Sequence, residues 1–237
     1  MPHTKRFNSR QPSAVSRQPA AVNRQSIVPD SQLEIELKRD WTKRTFDLLL
    51  ATTGLLLLSP LLLIGAILAK LQSKGTIFYK ATRVGRGGTL FEMYKFRTMV
   101  ANADSIGGSL TTYKDTRVTR IGSFLRWTKL DELPNLINVI KGEMSLIGPR
   151  PEAPVYVKYY TETQRQVLQI KPGMTGPSQL ANRDEAEKLK GQPNAEHYYI
   201  TELMPKKLDL DIHYLTTQSI TSDIGWLLKT FWVLIAK

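Results

Sequence analysis

Two adjacent carboxylates, Asp131 and Glu132, stand at the head of an apolar segment that leads into the turn Gly148-Pro149-Arg150-Pro151. An Asp beside a Glu can divide the work at a phosphorus centre, because one carboxylate can attack or move a proton while the other holds a metal ion. An arginine held nearby can neutralise phosphate oxygens. The pattern therefore predicts phosphate chemistry. The alternative is an acidic pair that caps a helix and stabilises its dipole.

The segment around these carboxylates predicts the helix that positions them. Apolar residues recur at helical spacing between Leu130 and Ile140. Pro134 is tolerated only in a first helical turn, so we expect the helix to begin near Asp131, and Gly142 is a suitable C-terminal stop. Both carboxylates would then lie at a helix N-terminus, an end that also attracts phosphate.

Cationic side chains on neighbouring segments are candidates for holding phosphate oxygens. Lys95 and Arg97 lie on one face of a predicted strand, and Arg126 belongs to a short amphipathic segment at 121–127. Arg150 lies between two prolines that fix its backbone, so its guanidinium loses less freedom on binding. The alternatives are a solvated basic face for the strand and an ordinary proline turn for Arg150.

The strand belongs to a predicted β-hairpin. Residues 76–84 and 89–99 are rich in aromatic and β-branched side chains, and Gly85-Arg86-Gly87-Gly88 joins them. A glycine-rich loop can cradle phosphate, but no Lys-Ser/Thr pair follows here, which favours a simple turn. Residues 104–115, with two adjacent glycines and several Ser and Thr, predict a mobile loop that could cover a site.

Residues 48–69 carry no charge, and about 20 apolar residues are enough to cross a bilayer as one helix. Pro60 should bend this helix, and the hydroxyl of Ser59 is available to satisfy a freed carbonyl. Basic residues flank both ends, so the positive-inside rule gives no direction. We expect a re-entrant hairpin that keeps both flanks in the cytoplasm, next to anionic lipid. A spanning helix and a buried soluble helix are the alternatives.

Composition narrows the classes of partner and site. The 237 residues include 33 Lys and Arg against 21 Asp and Glu, and the net charge of +12 favours nucleic acid, anionic lipid or nucleotide phosphate. The absence of cysteine excludes disulfides and thiolate metal sites. The histidines show no metal-ligand spacing. Residues 1–40 are polar, basic and proline-containing, and predict a disordered tail.

Several motifs together resemble the bacterial sugar transferase family, the monotopic phosphoglycosyl transferases. They run in the family's order from about residue 41 to the C-terminus, which makes the resemblance more specific than any single motif. In chain order they are Lys43-Arg44-Thr45-Phe46-Asp47, Ser59-Pro60, Tyr94-Lys95-Phe96-Arg97-Thr98-Met99, Leu130-Asp131-Glu132-Leu133-Pro134, Asn138-Val139-Ile140-Lys141-Gly142, Ser145-Leu146-Ile147-Gly148-Pro149-Arg150-Pro151 and Lys171-Pro172-Gly173-Met174-Thr175-Gly176.

The resemblance implies an enzyme that moves a phospho-sugar from a nucleotide diphosphate sugar, usually a UDP-sugar, to undecaprenyl phosphate and releases UMP. This reaction is the first membrane step of surface glycan synthesis. The family implies Asp131 as the nucleophile that forms a covalent phosphosugar intermediate, and Glu132 as a ligand of Mg²⁺. Lys95, Arg126 and Arg150 match its phosphate-contacting positions.

The C-terminal third offers weaker signals. Pro177-Ser178-Gln179 stands where many family members have Trp-Ala-Gln. Arg183 is a candidate polar contact, and a solvated surface residue is the alternative. Residues 224–236 are apolar but too short to span a bilayer, which favours a helix lying in the membrane interface. A C-terminal core helix is the alternative.

These predictions give an α+β chain that is mostly helical. It comprises a disordered basic tail at 1–40, a re-entrant membrane helix at 41–75, and a cytoplasmic catalytic domain at 76–237 with a small β-hairpin and a C-terminal interfacial helix. We expect it at the cytoplasmic face of the bacterial inner membrane, in contact with lipid, a UDP-sugar and undecaprenyl phosphate. A homodimer is one compatible oligomeric state. No nucleic-acid motif is present. The competing hypothesis is a non-enzymatic, membrane-anchored basic adaptor that binds an acidic polymer.

Overall fold

The computed structural model of the chain describes residues 30–72, 75–107, 110–111 and 114–236, with side chains from residue 40 onward except at position 104. Two units are distinguished, residues 1–37 and 38–237, and the second holds every element described below except the start of the first helix. That helix begins at Asp30, within the stretch 1–40 assigned to a tail. The remainder of that prediction lies outside the described residues.

Two helices joined by a sharp bend form the N-terminal part of the fold. Helix α1 (Asp30–Leu57) and helix α2 (Ser59–Gln72) meet at 65°, at the position that the sequence predicts for a break. The hydroxyl of Ser59 donates a hydrogen bond to the Leu56 carbonyl at 2.8 Å, as expected beside a proline that removes a backbone donor. Within the described part of the chain, no one helix meets the length and hydropathy of a membrane span, although α1 and α2 do so jointly.

The predicted β-hairpin is confirmed. Strand β1 (Phe78–Val84) pairs antiparallel with β2 (Leu90–Phe96), with Phe78 opposite Phe96 and Val84 opposite Leu90. A 3₁₀ turn at Arg86–Gly88 connects them. Both strands are shorter at their outer ends than predicted, so Arg97 falls just beyond β2.

The carboxylates lie in a tight turn between two helices. Helices α3 (Ala103–Ile106) and α4 (Arg120–Thr128) precede a 3₁₀ turn at Leu130–Glu132, and helix α5 (Asn135–Lys141) follows it. The prediction that α5 begins near Asp131 is therefore wrong. Pro134 has no N–H with which to extend the α-helical hydrogen bonds back to Leu130, so regular α-helix begins only after the proline. The backbone here closes i to i+3 bonds instead, such as Leu133 N to Leu130 O at 3.2 Å.

A second, parallel strand pair and a series of short helices complete the chain. Strand β3 (Ser145–Ile147) pairs with β4 (Gly173–Thr175). The remaining elements, in chain order, are α6 (Pro154–Val157), a 3₁₀ segment (Gln164–Gln169), α7 (Pro177–Ala181), α8 (Glu185–Lys188), α9 (Ala195–Tyr198), a π-helical turn (Tyr199–Leu203), α10 (Met204–Thr217) and α11 (Ile220–Ile235).

Buried apolar clusters hold these elements around the carboxylate turn. One cluster joins α1, the inner face of the hairpin, α5 and β3, and includes Ala51, Met93, Val139 and Ile147. Another packs Ala69 of α2 against Phe96 and Leu125. The first cluster packs α5, which follows the turn, and the second packs α4, which precedes it. The turn is therefore fixed on both sides.

Helix α11 is packed on one face and exposed on the other. Its buried Asp223 binds Lys43 of α1 (Nζ–Oδ2, 2.7 Å) and accepts a hydrogen bond from the Tyr214 hydroxyl at 2.5 Å. Phe231 and Trp232, further along α11, are exposed. This division agrees with an amphipathic helix, and its position in a membrane interface stays a prediction.

Candidate active site

Asp131 is buried in the wall of a large cavity. Its side chain is 6% exposed, and its Oδ1 atom has no hydrogen-bond partner among the described residues. A buried carboxylate oxygen without a partner is costly in a stable fold and commonly marks a functional site. The local backbone presents it there, because Lys129 ends α4 in the left-handed conformation (φ 61°) and the 3₁₀ turn follows directly.

The neighbouring Glu132 is held by cations. Lys95 Nζ lies 2.9 Å from its Oε1 atom, and the guanidinium of Arg150 lies 3.7 Å from the same oxygen. Burial alone would raise the pKa of Glu132. The positive charges of Lys95, Arg150 and Lys129 outweigh burial and hold that pKa well below its ordinary value. Glu132 is therefore ionised at neutral pH.

Asp131 has the opposite environment. Burial and the negative charge of Glu132 raise its pKa to about 6, against the opposing effect of Lys95, Lys129 and Arg126. A carboxylate with a raised pKa remains basic while it is ionised, and basicity favours attack on an electrophilic phosphorus. Two adjacent acids with separated pKa values are thus suited to different roles.

Lys95 and Arg126 both face this pair. Lys95 is partly buried, with 18% of its side chain exposed, and burial lowers its pKa although the charge of Glu132 partly offsets this effect. Arg126 donates from Nε to the Thr98 hydroxyl at 2.8 Å, which orients its guanidinium on α4. Burial lowers the pKa of Arg126 as well.

The turn that carries Arg150 is anchored by a buried acid. The backbone N–H of Arg150 donates to Asp211 Oδ2 at 3.3 Å, and the Ser178 hydroxyl donates to the same oxygen at 2.9 Å. Asp211 is 2% exposed, and burial raises its pKa to about 7 despite the hydrogen bond from Ser178. Helices α7 and α10 therefore fix the backbone from which the Arg150 guanidinium reaches Glu132.

Close approach of two backbones forms the same turn. Gly173 N donates to Pro149 O at 2.8 Å, and Gly148 N donates to Thr175 O at 3.1 Å. A Cβ atom on Gly173 would lie 2.1 Å from Gly148 N, so no side chain fits at this crossing.

The remaining predicted residues lie in different surroundings. Arg97 is buried and donates to the Ala69 carbonyl at 3.3 Å, which directs it to the end of α2 while Lys95 reaches Glu132. Arg183 is exposed. Both line the same cavity as the carboxylates, of about 1860 Å³. That volume exceeds the roughly 300–1,000 Å³ of a typical small-ligand pocket, which is room for more than one substrate.

Asp211 was not recognised from the sequence, although a signal exists. Leu208, Asp211 and Leu215 share the spacing of the apolar face of α10, and Leu208 and Leu215 pack into one core cluster. An acid on such a face is buried and must find donors. Its donors, Ser178 and the Arg150 backbone, lie far away in the chain, and no local pattern reveals them.

The carboxylate turn also fits a divalent cation. Among residues 30–236 as described, no three His, Cys, Asp or Glu side chains cluster as a ready-made metal site. Mg²⁺ is usually held by one or two carboxylates together with substrate phosphates rather than by an all-protein cage. Glu132 could supply one such carboxylate, and the unpartnered Oδ1 of Asp131 lies in the neighbouring residue.

Comparison with known proteins identifies the group to which this chain is similar. The Caulobacter vibrioides UDP-glucose:undecaprenyl-phosphate glucose-1-phosphate transferase is 37% identical over 194 residues, covering 81% of this chain and 68% of that protein. The exopolysaccharide production protein ExoY of Sinorhizobium fredii is 36% identical over 204 residues, covering 80% and 83%. The Aeromonas hydrophila UDP-N-acetylgalactosamine-undecaprenyl-phosphate N-acetylgalactosaminephosphotransferase is 36% identical over 189 residues, covering 77% and 44%.

A family match agrees with these pairwise similarities. The sequence profile described as bacterial sugar transferase matches residues 38–237, which include both carboxylates, the cations that hold Glu132, and the bent helix pair. The chain therefore belongs to the bacterial sugar transferase family.

Proposed function

We propose that the protein transfers a sugar 1-phosphate from a UDP-sugar to undecaprenyl phosphate and releases UMP, as the first membrane step of surface glycan synthesis. The observation that carries the proposal is the buried, unpartnered Oδ1 of Asp131 beside a Glu132 that Lys95 and Arg150 keep ionised. The names of the Caulobacter and Aeromonas relatives describe reactions of this type. The bent apolar helix pair supports a position at the cytoplasmic face of the inner membrane.

Two displacements at one phosphorus account for the reaction. A carboxylate oxygen of Asp131 attacks the phosphorus that bears the sugar, and the bond to the UMP oxygen breaks, so UMP leaves with the electron pair. A phosphate oxygen of the polyprenyl phosphate then attacks the same phosphorus and releases the Asp131 carboxylate. Lys95, Arg126 and Arg150 offset the charge that gathers on the phosphate oxygens in both steps.

Glu132 would hold Mg²⁺. When bound, this ion neutralises charge on the diphosphate and helps UMP to leave. The low pKa of Glu132 keeps it available as an anionic ligand at any physiological pH.

The test is UMP release by purified protein in detergent with Mg²⁺, undecaprenyl phosphate and a panel of UDP-sugars, beside Asp131→Asn and Glu132→Gln. We expect UMP from at least one donor, and its loss in Asp131→Asn and on chelation of the metal. With donor alone, wild-type protein should release about one UMP per active site and acquire the mass of a phospho-sugar. Folded protein that is silent with every donor, or an active Asp131→Asn variant, would contradict the proposal and favour the adaptor hypothesis.

A further inference from the structure

The wall of the cavity that contains Asp131 includes apolar residues of the first and last helices, and this part of the wall is called the apolar lobe. Six residues of the two helices define it, and none of them is charged. They are Leu50, Gly54 and Leu57 of α1 and Leu227, Phe231 and Leu234 of α11.

The lobe reaches the reaction centre through α5. Leu133 follows Glu132 directly and lines the cavity, and Leu136 lies one turn further along. A Cβ atom on Gly54 of α1 would be 3.8 Å from Leu136 Cδ1, so α1 and α5 are in contact range at this point of the wall. One continuous wall therefore runs from the carboxylate turn to the exposed ends of α1 and α11.

The fold itself holds the two sides of the lobe together. Lys43 and Asp223 join α1 and α11 by a buried ion pair of 2.7 Å. Both helices run on from this joint and contribute their next turns to the cavity. Leu57 and Phe231, at the outer end, are 74% and 59% exposed. The lobe thus opens on a surface that is itself apolar.

The two ends of the cavity select one kind of ligand. Lys95, Arg126 and Arg150 at the inner end require an anion, whereas the lobe requires a long apolar chain. A sugar nucleotide is polar along its whole length and would leave the lobe unfilled. We propose that the lobe binds the isoprene units nearest the phosphate of the polyprenyl phosphate acceptor, with that phosphate directed at Asp131. This inference rests on the proposed function and adds the position of the acceptor chain.

Filling the lobe should weaken the acceptor and spare the donor. Gly54→Phe places a ring where the chain would lie, so we expect the KM for undecaprenyl phosphate to rise about tenfold, because a few CH₂ groups lose their contacts. The KM for the UDP-sugar and the release of UMP with donor alone should not change. Gly225→Phe is the matched control, because Gly225 lies on α11 with open space around it and outside the cavity wall. Equal rises in both KM values, or none, would overturn the proposal.

A crosslinking experiment tests the site without turnover. Wild-type protein in detergent micelles is irradiated with a polyprenyl phosphate that carries a diazirine in its phosphate-proximal isoprenes. We expect label on residues 50–57 and 227–234, reduced by excess undecaprenyl phosphate and not by a diacyl phospholipid. Phe124, exposed on α4 and outside the cavity wall, is the comparison surface. Equal labelling there, or competition by the phospholipid, would show general lipid contact and overturn the proposal. Because crosslinking needs no UMP release, a failed proposed function and a failed acceptor site give different results.

Discussion

Lys95 and Glu132 form an ion pair, with Nζ 2.9 Å from Oε1, that separates the charge states of two adjacent acids. Glu132 is kept ionised by this contact, and its negative charge in turn helps to raise the pKa of Asp131 to about 6. This ion pair therefore suits Glu132 to act as an anionic ligand and Asp131 to act as a basic nucleophile.

Asp131→Asn should stabilise the protein while abolishing activity. The folded state raises the pKa of Asp131 from 3.8 to about 6, so it favours the protonated form, and the wild type loses stability as the pH rises through this range. Asparagine does not ionise, so the variant does not lose this stability as the pH rises. In metal-free buffer at neutral pH, we expect its free energy of unfolding to be about 3 kcal/mol higher. The difference should shrink as the pH falls below 6 towards 4, as followed by thermal unfolding. A variant less stable than wild type at neutral pH would refute the assignment.

Lys95→Met should lower kcat/KM for the donor about 100-fold, because a partly buried cation facing the phosphate site is lost. The matched control is Lys80→Met on the same hairpin. Lys80 also lines the cavity, but its partner is Glu92 at 2.8 Å rather than Glu132. Both side chains are about half exposed, so this pair adds little to stability. Steady-state kinetics should measure kcat/KM for the donor in both variants. An equal loss in Lys95→Met and Lys80→Met would contradict the role of Lys95.

Gly173→Ala should destabilise the fold by about 2 kcal/mol or more, because its Cβ would lie 2.1 Å from the backbone nitrogen of Gly148. The displaced turn carries Arg150, so activity at a temperature where the variant is folded should fall too. Gly225→Ala, in open space on α11, should be neutral or gain up to about 1 kcal/mol from helix propensity. If thermal unfolding showed Gly225→Ala to be less stable than Gly173→Ala, the backbones at Gly173 and Gly148 would not be tightly packed.

Asp211→Asn should impair catalysis through Arg150. The substitution weakens the anchor of the Arg150 backbone while leaving the guanidinium intact. In a double-mutant cycle, its cost in kcat/KM should largely vanish on an Arg150→Ala background, since coupled residues are not additive. The cost should persist on an Arg126→Ala background, because Arg126 is held by Thr98 instead. Additive effects in both cycles would mean that Asp211 serves only the stability of the fold.

The bend between α1 and α2 predicts that both flanks lie on one side of the membrane. The chain contains no cysteine, so single cysteines can be introduced without background. Ser13→Cys in the N-terminal segment and Ser222→Cys on α11 should both resist a membrane-impermeant maleimide in intact spheroplasts and react after permeabilisation. Labelling of position 13 alone in intact spheroplasts would support a spanning helix. Pro60→Ala, which restores a backbone donor, should favour that second outcome.

The sequence predicts those features that local chemistry decides. The hairpin follows from β-branched and aromatic runs around Gly85–Gly88, and the bend follows from Pro60. The start of α5 was misplaced because 3₁₀ and α-helical turns share the same apolar spacing over so few residues. The charge separation of Asp131 and Glu132 required contacts from a strand 37 positions away, such as Lys95 to Glu132. Local patterns in a single sequence do not predict such non-local contacts.

The ion pair between Lys43 and Asp223 links α1 to α11, which is synthesised much later. During synthesis, α1 leaves the ribosome long before α11 exists, and until then Lys43 has its nearby partner Asp47 at 3.3 Å but lacks the closer carboxylate. Contacts between segments so distant in the chain form late and slowly. Helix α1 can therefore reach its final position beside α11 only after translation has passed α11, and a ribosome that stalls before Asp223 would leave Lys43 without this ion pair.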